Sequence, residues 1–439
     1  MNTLAIKNGA IVTPDGVKNQ DIIIKNGIIA EIGNLNIADD ISIIDATNLH
    51  VLPGIIDPQV HFREPGLTHK EDIETGSMGA VAGGITTFFE MPNTSPATTT
   101  IDLLNQKYKI ANSKSLANYS FFLGATYNNL DQILKLEDSC GLKIFMGSST
   151  GDLLVDDDVI LEKIFSSCNR IIAVHAEDEA ILNMSSKYMV GRKFSLHMKA
   201  RPVEAAVCAT KKAINLALKH EKRLHVLHLS TADEVEMIRK IKYTGLVTAE
   251  TTPQHLTLSG PDIYDKIGSY AQMNPPIRDI KHQEGLWEGL HDGTIDCIAT
   301  DHAPHTIQEK SLEYGSAPSG MPGVETSLTI MLNHVNNGKA RIEDIANWMS
   351  YNPAKIYKAI GKGKIAAGED GDLTIVDLKR SHKIQNKNTY TKCGWSAFDG
   401  MVTQGWPIKT IVNGNIVFNR DSEIKFNNTI KGEKVRFSI

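Results

Sequence analysis

The sequence lacks paired cysteines, long apolar runs and an excess of either charge, and each absence excludes a class of protein. Five cysteines lie far apart among 439 residues, without a C-x-x-C pair, which argues against a disulfide framework or a thiolate zinc knuckle. No apolar run approaches the roughly 18 residues of a membrane span. Lysine and arginine number 46 against 51 acidic residues and are scattered, so nucleic-acid and membrane partners are not expected.

The first residues have a short strand-like alternation without the basic start and long apolar stretch of a signal peptide. The spread of single cysteines fits a reducing compartment. We therefore expect a soluble cytoplasmic protein that acts on a small molecule.

Both ends of the chain have the pattern of short strands and tight turns. Residues 22–24 and 28–33 flank Asn26-Gly27, and residues 410–418 contain Asn413-Gly414, both typical of hairpin turns. Residues 372–378 read as a further strand. The two termini are therefore predicted to build one small β domain together.

Between the termini, eight apolar runs alternate with helical stretches and end in polar residues. They cover 55–61, 84–90, 119–125, 142–146, 170–177, 224–230, 247–253 and 294–304. Eight repeats of strand and helix predict an α/β fold, a (β/α)8 TIM barrel whose chemistry lies at the carboxyl ends of the strands. The predicted domains are 53–357 for the barrel and 1–52 plus 358–439 for a composite β-sandwich.

Imidazoles and a carboxylate stand at several of these strand ends. His61, His175, His228 and Asp301 are of the types that bind zinc or a similar divalent metal. His225 lies three residues before His228, on the opposite face of its strand, and is interpreted as packing.

Lys143 stands inside the apolar fourth run, where an ammonium group is costly unless it is paired. One interpretation is a core ion pair. The other is a lysine carbamylated by carbon dioxide, whose two anionic oxygens can bridge two metal ions.

An ordered set of motifs resembles the amidohydrolase superfamily and, within it, the dihydroorotases of the long bacterial type. The motifs occupy 53–57, 61–66, 90–94, 175–177, 228–231, 274–278, 300–305 and 368–373. Any one of them is weak, but their order over nearly the whole chain is specific. The resemblance implies a (β/α)8 barrel with a β-sandwich made from both termini.

The resemblance also implies roles for individual residues. His61 with Asp301 would serve one metal, His175 and His228 a second, and carboxylated Lys143 would bridge them. The implied cofactor is Zn²⁺, one or two ions per chain. The substrate carboxylate and ring would be held by Arg63, Asn93, Asn274, His305, Ser319 and Gly320. A guanidinium suits a carboxylate because its planar fork matches two parallel hydrogen bonds.

The implied reaction is the reversible closure of N-carbamoyl-L-aspartate to L-dihydroorotate and water, a step of pyrimidine synthesis. In the hydrolytic direction a metal would activate water and polarise the ring carbonyl. Asp301 would take the proton of the nucleophile and pass it to the leaving nitrogen.

Two positions depart from the family pattern. Gln59 replaces a histidine that usually ligates the first metal, and its amide oxygen is a weaker donor for zinc. Gln254 replaces another histidine that is not a ligand. We therefore expect one tightly held ion, bound by Lys143, His175 and His228, with Gln59 a doubtful ligand.

Two other functions stay open on the sequence. One is a different cyclic amidohydrolase, such as an allantoinase or dihydropyrimidinase, against which Arg63 argues. The other is a catalytically silent homologue that serves as an assembly partner, for instance of aspartate carbamoyltransferase. We further expect a homodimer, a loop over the substrate near 307–321, and a solvated linker from Lys379 to Lys392.

Overall fold

The computed structural model describes residues 3–38, 41–147, 151–191 and 193–438. The strands of these residues form two sheets of eight strands each. The first strands are β1 Thr3–Thr13, β2 Gly16–Lys25, β3 Ile28–Gly33, β4 Ser42–Asp45 and β5 His50–Pro53. The barrel strands are β6 Ile55–Val60, β7 Ile85–Glu90, β8 Asn118–Gly124, β9 Gly141–Phe145, β10 Ile172–His175, β11 Leu224–Val226, β12 Val247–Thr251 and β13 Cys297–Ile298. The last strands are β14 Leu373–Lys383, β15 Val402–Val412 and β16 Asn415–Asn419.

Strands β6 to β13 are parallel and follow one another in chain order, which confirms the predicted (β/α)8 barrel. Each of the eight apolar runs overlaps one of these strands, and β8 and β9 begin one residue before their runs. The two edge strands of this sheet, β6 and β13, meet through the residues that follow them. The His61 amide donates to the His302 carbonyl at 2.7 Å, beside a parallel bridge between Val60 and His302. The circle of strands therefore closes just after β13.

Helices cover the outside of the barrel. They are α1 Ile73–Ala82, α2 Ile101–Lys114, α3 Leu130–Ile133, α4 Asp158–Ser167, α5 Glu179–Ser185, α6 His197–Ala200, α7 Val203–Lys219, α8 Ala232–Ile241, α9 Pro253–Thr257, α10 Asp262–Ile267, α11 Ile280–His291, α12 Ile307–Lys310, α13 Ser327–Asn336, α14 Ile342–Ala346 and α15 Asn352–Tyr357. Side-chain caps begin several of them; Thr231, for example, accepts from the Glu234 amide. Their apolar faces share one core with the outer faces of the strands.

The second sheet combines both termini, as the sequence predicts. Its order is β16-β15-β14-β5-β1-β2-β3, and β4 also pairs with β1. Strand β1 pairs with β4 through Leu4–Lys7 and with β5 through Ala10 and Ile11, so the sheet divides at this strand. Side chains from both parts enclose a separate apolar core. Strand β14 reaches Lys383, so residues 379–383 belong to a strand and not to the expected linker.

The predicted hairpin turns are present at both ends of the chain. Asn26 and Gly27 have φ values of 50° and 83°, and Asn413 and Gly414 have 48° and 74°. Positive φ at both central residues is the requirement of the tight hairpin turn that Asn-Gly favours. In the described part of the chain, no helix is both long and apolar enough to cross a bilayer.

Candidate active site

The carboxyl ends of the barrel strands bring the five metal-ligand candidates into one mouth. Lys143 lies within β9, His175 ends β10, and His61, His228 and Asp301 follow β6, β11 and β13. All five are at most 7% exposed. The charge of Asp301 acts on both Lys143 and His228, which places residues distant in sequence at one centre.

His61 and Asp301 form the first pair of facing ligand atoms. Nδ1 of His61 donates to Oδ1 of Asn93 at 2.6 Å, because an amide oxygen can only accept. Burial lowers the pKa of His61, although the hydrogen bond and the charge of Asp301 oppose the shift. Nε2 of His61 lies 3.1 Å from Oδ1 of Asp301. A proton or a metal ion between these two atoms would satisfy both.

Gln59 joins this pair through its amide. Its Nε2 donates to Oδ1 of Asp301 at 2.9 Å, whereas its Oε1 is buried without a hydrogen-bond partner. A buried carbonyl oxygen without a partner is costly, and here it lies beside the facing pair. The amide of Gln59 therefore fits an oxygen ligand that completes its bonding when a cation is present.

His175 and His228 form the second pair. Nδ1 of His175 lies 3.0 Å from Nε2 of His228, and Nε2 of His175 lies 3.0 Å from Oε2 of Glu177. Arg201 holds the same carboxylate, and its charge with the His175 contact keeps the pKa of Glu177 low despite burial. A carboxylate that orients a histidine in this way is typical of metal sites.

Both pairs have spacings suited to one ion each. Zinc–nitrogen and zinc–oxygen bonds near 2.0–2.1 Å place neighbouring ligand atoms roughly 3 Å apart. Burial lowers the pKa of His175 and that of His228, which keeps both rings in the neutral form that binds metal. The donor set therefore fits divalent metal.

Lys143 is 1% exposed, and its charge acts on His175, His228 and Asp301. Its Nζ is 4.4 Å from the centroid of the Phe145 ring. Burial lowers the pKa of its ammonium to about 7, although Asp301 and Glu250 oppose the shift. A large fraction of the amine is therefore uncharged near neutral pH, and only this form reacts with carbon dioxide.

Three residues of the mouth have a strained backbone. Arg63, His228 and Asp301 have φ values of 65°, 37° and 46°, a region that non-glycine residues rarely adopt. Such strain persists where the surrounding structure fixes it and is concentrated at functional sites.

Asp301 is ionised at neutral pH. Burial alone would raise its pKa, but the hydrogen bond to His61 and the charges of His228, His61 and Lys143 outweigh it and leave the pKa below its ordinary value. The carboxylate is therefore available as a ligand or as a base.

A second group of side chains lies next to the metal-ligand candidates and gathers around Arg63. Nε of Arg63 donates to the Pro304 carbonyl at 3.3 Å, and Nη2 lies 3.5 Å from Nε2 of His305. His305 in turn lies 3.0 Å from the Ser319 carbonyl and 3.1 Å from Nζ of Lys70. The predicted substrate residues Arg63, His305 and Ser319 are therefore contiguous.

Gly320 is required by its close neighbours. Its φ is 147°, and a Cβ there would lie 2.4 Å from the Ala303 carbonyl oxygen and 3.0 Å from the His305 ring. Any side chain would displace His305, so the backbone approaches the pocket closely only as glycine.

The two predicted asparagines have different partners. Oδ1 of Asn93 is occupied by His61, and a cavity of about 990 Å³ opens beside the same residue. Oδ1 of Asn274 accepts from Nε2 of His197 at 3.0 Å. Gln254 donates to the Thr300 carbonyl at 2.9 Å, next to Asp301. None of these contacts was evident from local sequence.

Three functional neighbours escaped the sequence interpretation. Glu177 orients His175, Lys70 contacts His305, and Lys310 donates to the carbonyls of Gln272, Pro318 and Gly320 at 3.2, 2.9 and 3.0 Å. Only Glu177 had a signal, because strand alternation puts it on the same side as His175. The other two depend on contacts across the fold.

His225 takes part in a polar cluster, so its interpretation as packing is incomplete. Its Nδ1 lies 2.8 Å from Oγ1 of Thr248 and its Nε2 3.0 Å from Oε2 of Glu250. His225, Glu250 and Cys297 bring three possible ligand atoms within 4.8 Å of one another. Among the described residues, this is the one group of three or more His, Cys, Asp or Glu side chains with that spacing. It lies within strands β11 to β13, and the charge of Glu250 acts on Lys143 of the mouth.

Comparisons with known proteins agree with this geometry. A model of the amidohydrolase family matches residues 50–417. A dihydroorotase of Methanosarcina acetivorans is 37% identical over 437 residues, covering 96% of this chain and 93% of that protein. A dihydroorotase of Bacillus licheniformis is 35% identical, covering 96% and 99%. The solved L-hydantoinase (dihydropyrimidinase) from Arthrobacter aurescens superposes with a TM-score of 0.94 and 32% identity, covering 99% of this chain and 100% of that one.

Proposed function

Because the chain belongs to the amidohydrolase family and is a cyclic amide hydrolase, we propose that it closes N-carbamoyl-L-aspartate reversibly to L-dihydroorotate and water. The dihydroorotases it resembles share nearly its whole length. The solved hydantoinase shares the fold and the class of reaction, the opening of a cyclic amide. The distinction between the two rests on what the pocket binds beside the ring.

Arg63 is the observation that carries the choice of substrate. Arg63 is 7% exposed. Burial lowers its pKa to about 10, although the charges of Asp301, Glu90, Glu309 and Glu71 oppose the shift, so it is still charged near neutral pH. Its guanidinium donates to the Pro304 carbonyl and approaches His305, and no ion pair of Arg63 is formed within the described residues. A substrate carboxylate would supply a direct partner of opposite charge and two parallel hydrogen bonds.

Members of this family depend on metal, and the residues of the mouth fit a divalent ion. His175, His228 and Lys143 would hold one, and His61, Asp301 and the Gln59 oxygen would provide the second set. Such an ion polarises an amide carbonyl and lowers the pKa of water.

Asp301 serves as the proton carrier in this proposal. In the hydrolytic direction the bond between the ring carbonyl carbon and nitrogen breaks, the carbon keeps the oxygen of the water as a carboxylate, one proton of the water goes to the nitrogen, and the other proton is released to solvent. Oδ1 of Asp301 would take the first of these protons from the attacking water and deliver it to the leaving nitrogen. Its lowered pKa keeps it in the accepting form, and the hydrogen bond from Gln59 fixes its orientation.

Lys143 is proposed to act as a carbamate. The neutral amine adds carbon dioxide, a carbon–nitrogen bond forms, and one proton leaves. The product carries a negative charge among three neutral imidazoles, where the free ammonium would face only the more distant Asp301 and Glu250 charges. Mass spectrometry under native conditions and a crystal structure with product would both show the added group.

We expect one firmly held ion per chain because the first set contains Gln59, whose amide oxygen is a weaker donor for zinc than the histidine that the family pattern implies at this position. Elemental analysis after dialysis should give about one ion. Lys143→Ala should lose that ion, while Cys297→Val, which alters only the buried His225 cluster, should keep it. Gln59→His should raise the retained amount towards two. Two ions that survive dialysis of the unaltered protein would contradict the expectation.

The substrate assignment is tested with a panel of cyclic amides. L-Dihydroorotate and N-carbamoyl-L-aspartate should turn over, whereas hydantoin, dihydrouracil and allantoin should not. Arg63→Gln should raise KM for L-dihydroorotate by roughly tenfold or more, because a charged hydrogen-bond pair contributes about 1.5–3 kcal/mol. Arg63→Lys keeps the positive charge but not the two parallel donors of the guanidinium, so its KM should lie between those of Arg63→Gln and the unaltered enzyme.

The second candidate is a hydantoinase or dihydropyrimidinase, which the superposition on the solved L-hydantoinase favours. Turnover of hydantoin or dihydrouracil that survives Arg63→Gln would establish it instead.

The setting of the enzyme is also part of the proposal. We expect a cytoplasmic homodimer, with a small molecule as substrate and with aspartate carbamoyltransferase as a candidate partner. Sedimentation of the pure protein, alone and mixed with that enzyme, measures both associations. The domain limits 1–52 plus 358–439 and 53–357 can be checked by limited proteolysis.

A further inference from the structure

A second cavity, of about 660 Å³, lies between the start of α13 and strands β14 and β15. None of the residues of the candidate active site lines it. Its volume is within the roughly 300–1,000 Å³ of small-molecule sites. Part of its wall is the segment 380–390, which the sequence suggested was a solvated linker.

The wall of this cavity is strongly basic. It contains Arg380, Lys383, Lys387, Arg420 and Lys425, against the single carboxylate of Glu325. The chain as a whole has more acidic than basic residues, so this concentration of cations is local. Asp421 offsets one of them through a contact of 2.7 Å with Nη1 of Arg380.

Among the described residues that line the cavity, Glu325 is the acidic one, and it already has backbone partners. Oε2 of Glu325 accepts from the backbone amides of Tyr390 and Thr391 at 2.8 and 3.3 Å. Burial raises the pKa of this carboxyl to about 7, although the charge of Arg420 opposes the shift. Glu325 can therefore offset at most one of the five cations of the wall.

Arg420 is fixed in position before any ligand arrives. Its Nε donates to the Pro407 carbonyl and its Nη2 to the Ala82 carbonyl, both at 2.7 Å. Its guanidinium carbon lies 5.0 Å from the Trp406 ring centroid and 5.2 Å from that of Phe418. A guanidinium held this way loses little conformational entropy when it binds an anion.

Aromatic rings share the same wall. Trp406 meets the His382 ring edge-on at 5.6 Å, and Nζ of Lys425 lies 5.9 Å from the Tyr390 centroid. Trp406 and Tyr390 are both partly exposed. They offer flat apolar surface within the ring of cations, which suits a planar ligand ring.

We propose that this cavity binds a phosphorylated nucleoside. The polyphosphate would lie among Lys383, Lys387 and Arg420, and the base would pack on Trp406 or Tyr390. Phosphate suits these partners because arginine and lysine form charge-assisted hydrogen bonds with its oxygens.

The cavity shares a wall with the back of the active site. Glu325, Thr326 and Thr389 also border a small void that reaches His302, the neighbour of Asp301. Nδ1 of His302 accepts from the amides of Gly323 and Val324 at 3.1 and 3.4 Å. A ligand that shifts residues 323–326 would therefore act on the strand end that carries Asp301.

The test is calorimetric titration of the full-length enzyme, without added metal, with ATP, UTP, inorganic tripolyphosphate and adenosine. The two nucleotides should bind, tripolyphosphate should bind more weakly, and adenosine should not bind. Lys383→Ala/Lys387→Ala should weaken nucleotide binding by about tenfold or more, because each substitution removes a charge-assisted hydrogen bond to phosphate. Lys163→Ala/Lys211→Ala removes the same charge from the outer helices α4 and α7 and should change nothing.

Several results would overturn this proposal. Absence of heat with every phosphate probe would remove the site. If Lys383→Ala/Lys387→Ala bound nucleotide as well as the unaltered enzyme, the nucleotide site would lie elsewhere. If ATP and tripolyphosphate bound equally well, Trp406 and Tyr390 would have no role in binding. If an RNA oligonucleotide bound more tightly than ATP, the ligand of the cavity would be a nucleic acid and not a phosphorylated nucleoside. With saturating ATP, kcat or KM should change in the unaltered enzyme and not in the double variant; no change would remove the regulatory effect.

Discussion

Asp301 is the residue on which the proposed chemistry converges, since it faces His61, accepts from Gln59 and is ionised. Asp301→Asn keeps the shape but cannot accept the proton, so turnover should fall by roughly 10²–10⁴-fold. Initial rates in both directions measure the loss. Circular dichroism and thermal melting provide the control for an intact fold, and near-normal rates would refute the role.

His305 gives the site a dependence on pH. Burial and the cations Arg63, Lys70 and Lys310 hold its pKa far below the ordinary value of 6.5. The unfolded chain therefore binds a proton below pH 6.5 that the folded protein does not, and stability is lost as pH falls. Each pH unit below 6.5 should cost about 1.4 kcal/mol relative to His305→Gln.

Urea denaturation of both proteins at several pH values between about 5 and 8 measures this difference. The difference in unfolding free energy between the unaltered protein and His305→Gln should be constant above pH 6.5. Below pH 6.5 the unaltered protein should lose stability relative to His305→Gln. Lys70→Met removes the cation 3.1 Å from the ring and should raise the His305 pKa in an NMR titration. A gap independent of pH would contradict a neutral, buried His305.

At the level of elements, the buried side chain of Lys310 forms hydrogen bonds that hold the segment from α12 to Gly320. Its ammonium is fully buried and bonded to three carbonyls, two of them in the stretch that carries Ser319 and Gly320. The stretch expected to lie over the substrate thus contains a helix and a buried anchor. Lys310 therefore shares the fixing of this stretch with Gln272, whose side chain donates to the Ala317 carbonyl and to Oγ of Ser319.

Lys310→Met should leave these three carbonyls without their donor. We expect a loss of about 2 kcal/mol or more in unfolding free energy and an increase of KM by about tenfold, with kcat changed less. Chemical denaturation and steady-state kinetics measure the two effects. Gln308→Met, at an exposed position of the same helix, is the matched control. An unchanged KM would separate Lys310 from the substrate loop.

At the level of the whole molecule, Asp372 joins the terminal sheet to the barrel. It is 4% exposed and accepts from Lys362 at 2.6 Å, from Nδ2 of Asn118 in β8 at 2.9 Å and from the Asn413 amide at 2.7 Å. Its own carbonyl accepts from the Gly54 amide at 2.8 Å, at the entry to β6. The Asp372 carboxylate therefore links three residues, and its backbone carbonyl links a fourth.

Asp372→Asn should cost about 3 kcal/mol, because it removes one partner of a buried ion pair. Differential scanning calorimetry measures the loss and shows whether the terminal sheet melts before the barrel. Asp370→Asn removes the more exposed partner of Lys362, 2.8 Å away and 18% exposed, and should cost less. If both variants lost the same unfolding free energy, the deeper burial of Asp372 would make no additional contribution to stability.

The sequence by itself determined the architecture and the list of reactive side chains. The eight apolar runs specify parallel strands because both faces of each strand are buried, and the Asn-Gly turns specify the terminal hairpins. The side chains at the strand ends follow from the same pattern, since a parallel barrel gathers the carboxyl ends of its strands on one face.

Only the tertiary structure decided how those side chains are oriented and what lies around them. Asn93 fixes the tautomer of His61, Glu177 orients His175, and Lys310 anchors a loop, each through a contact that strand period does not specify. The basic cavity combines residues 325 and 380–425, whose cations look scattered in sequence. Periodicity determines which face of an element is buried, whereas closure of the barrel and packing of the terminal sheet determine which distant residue meets that face.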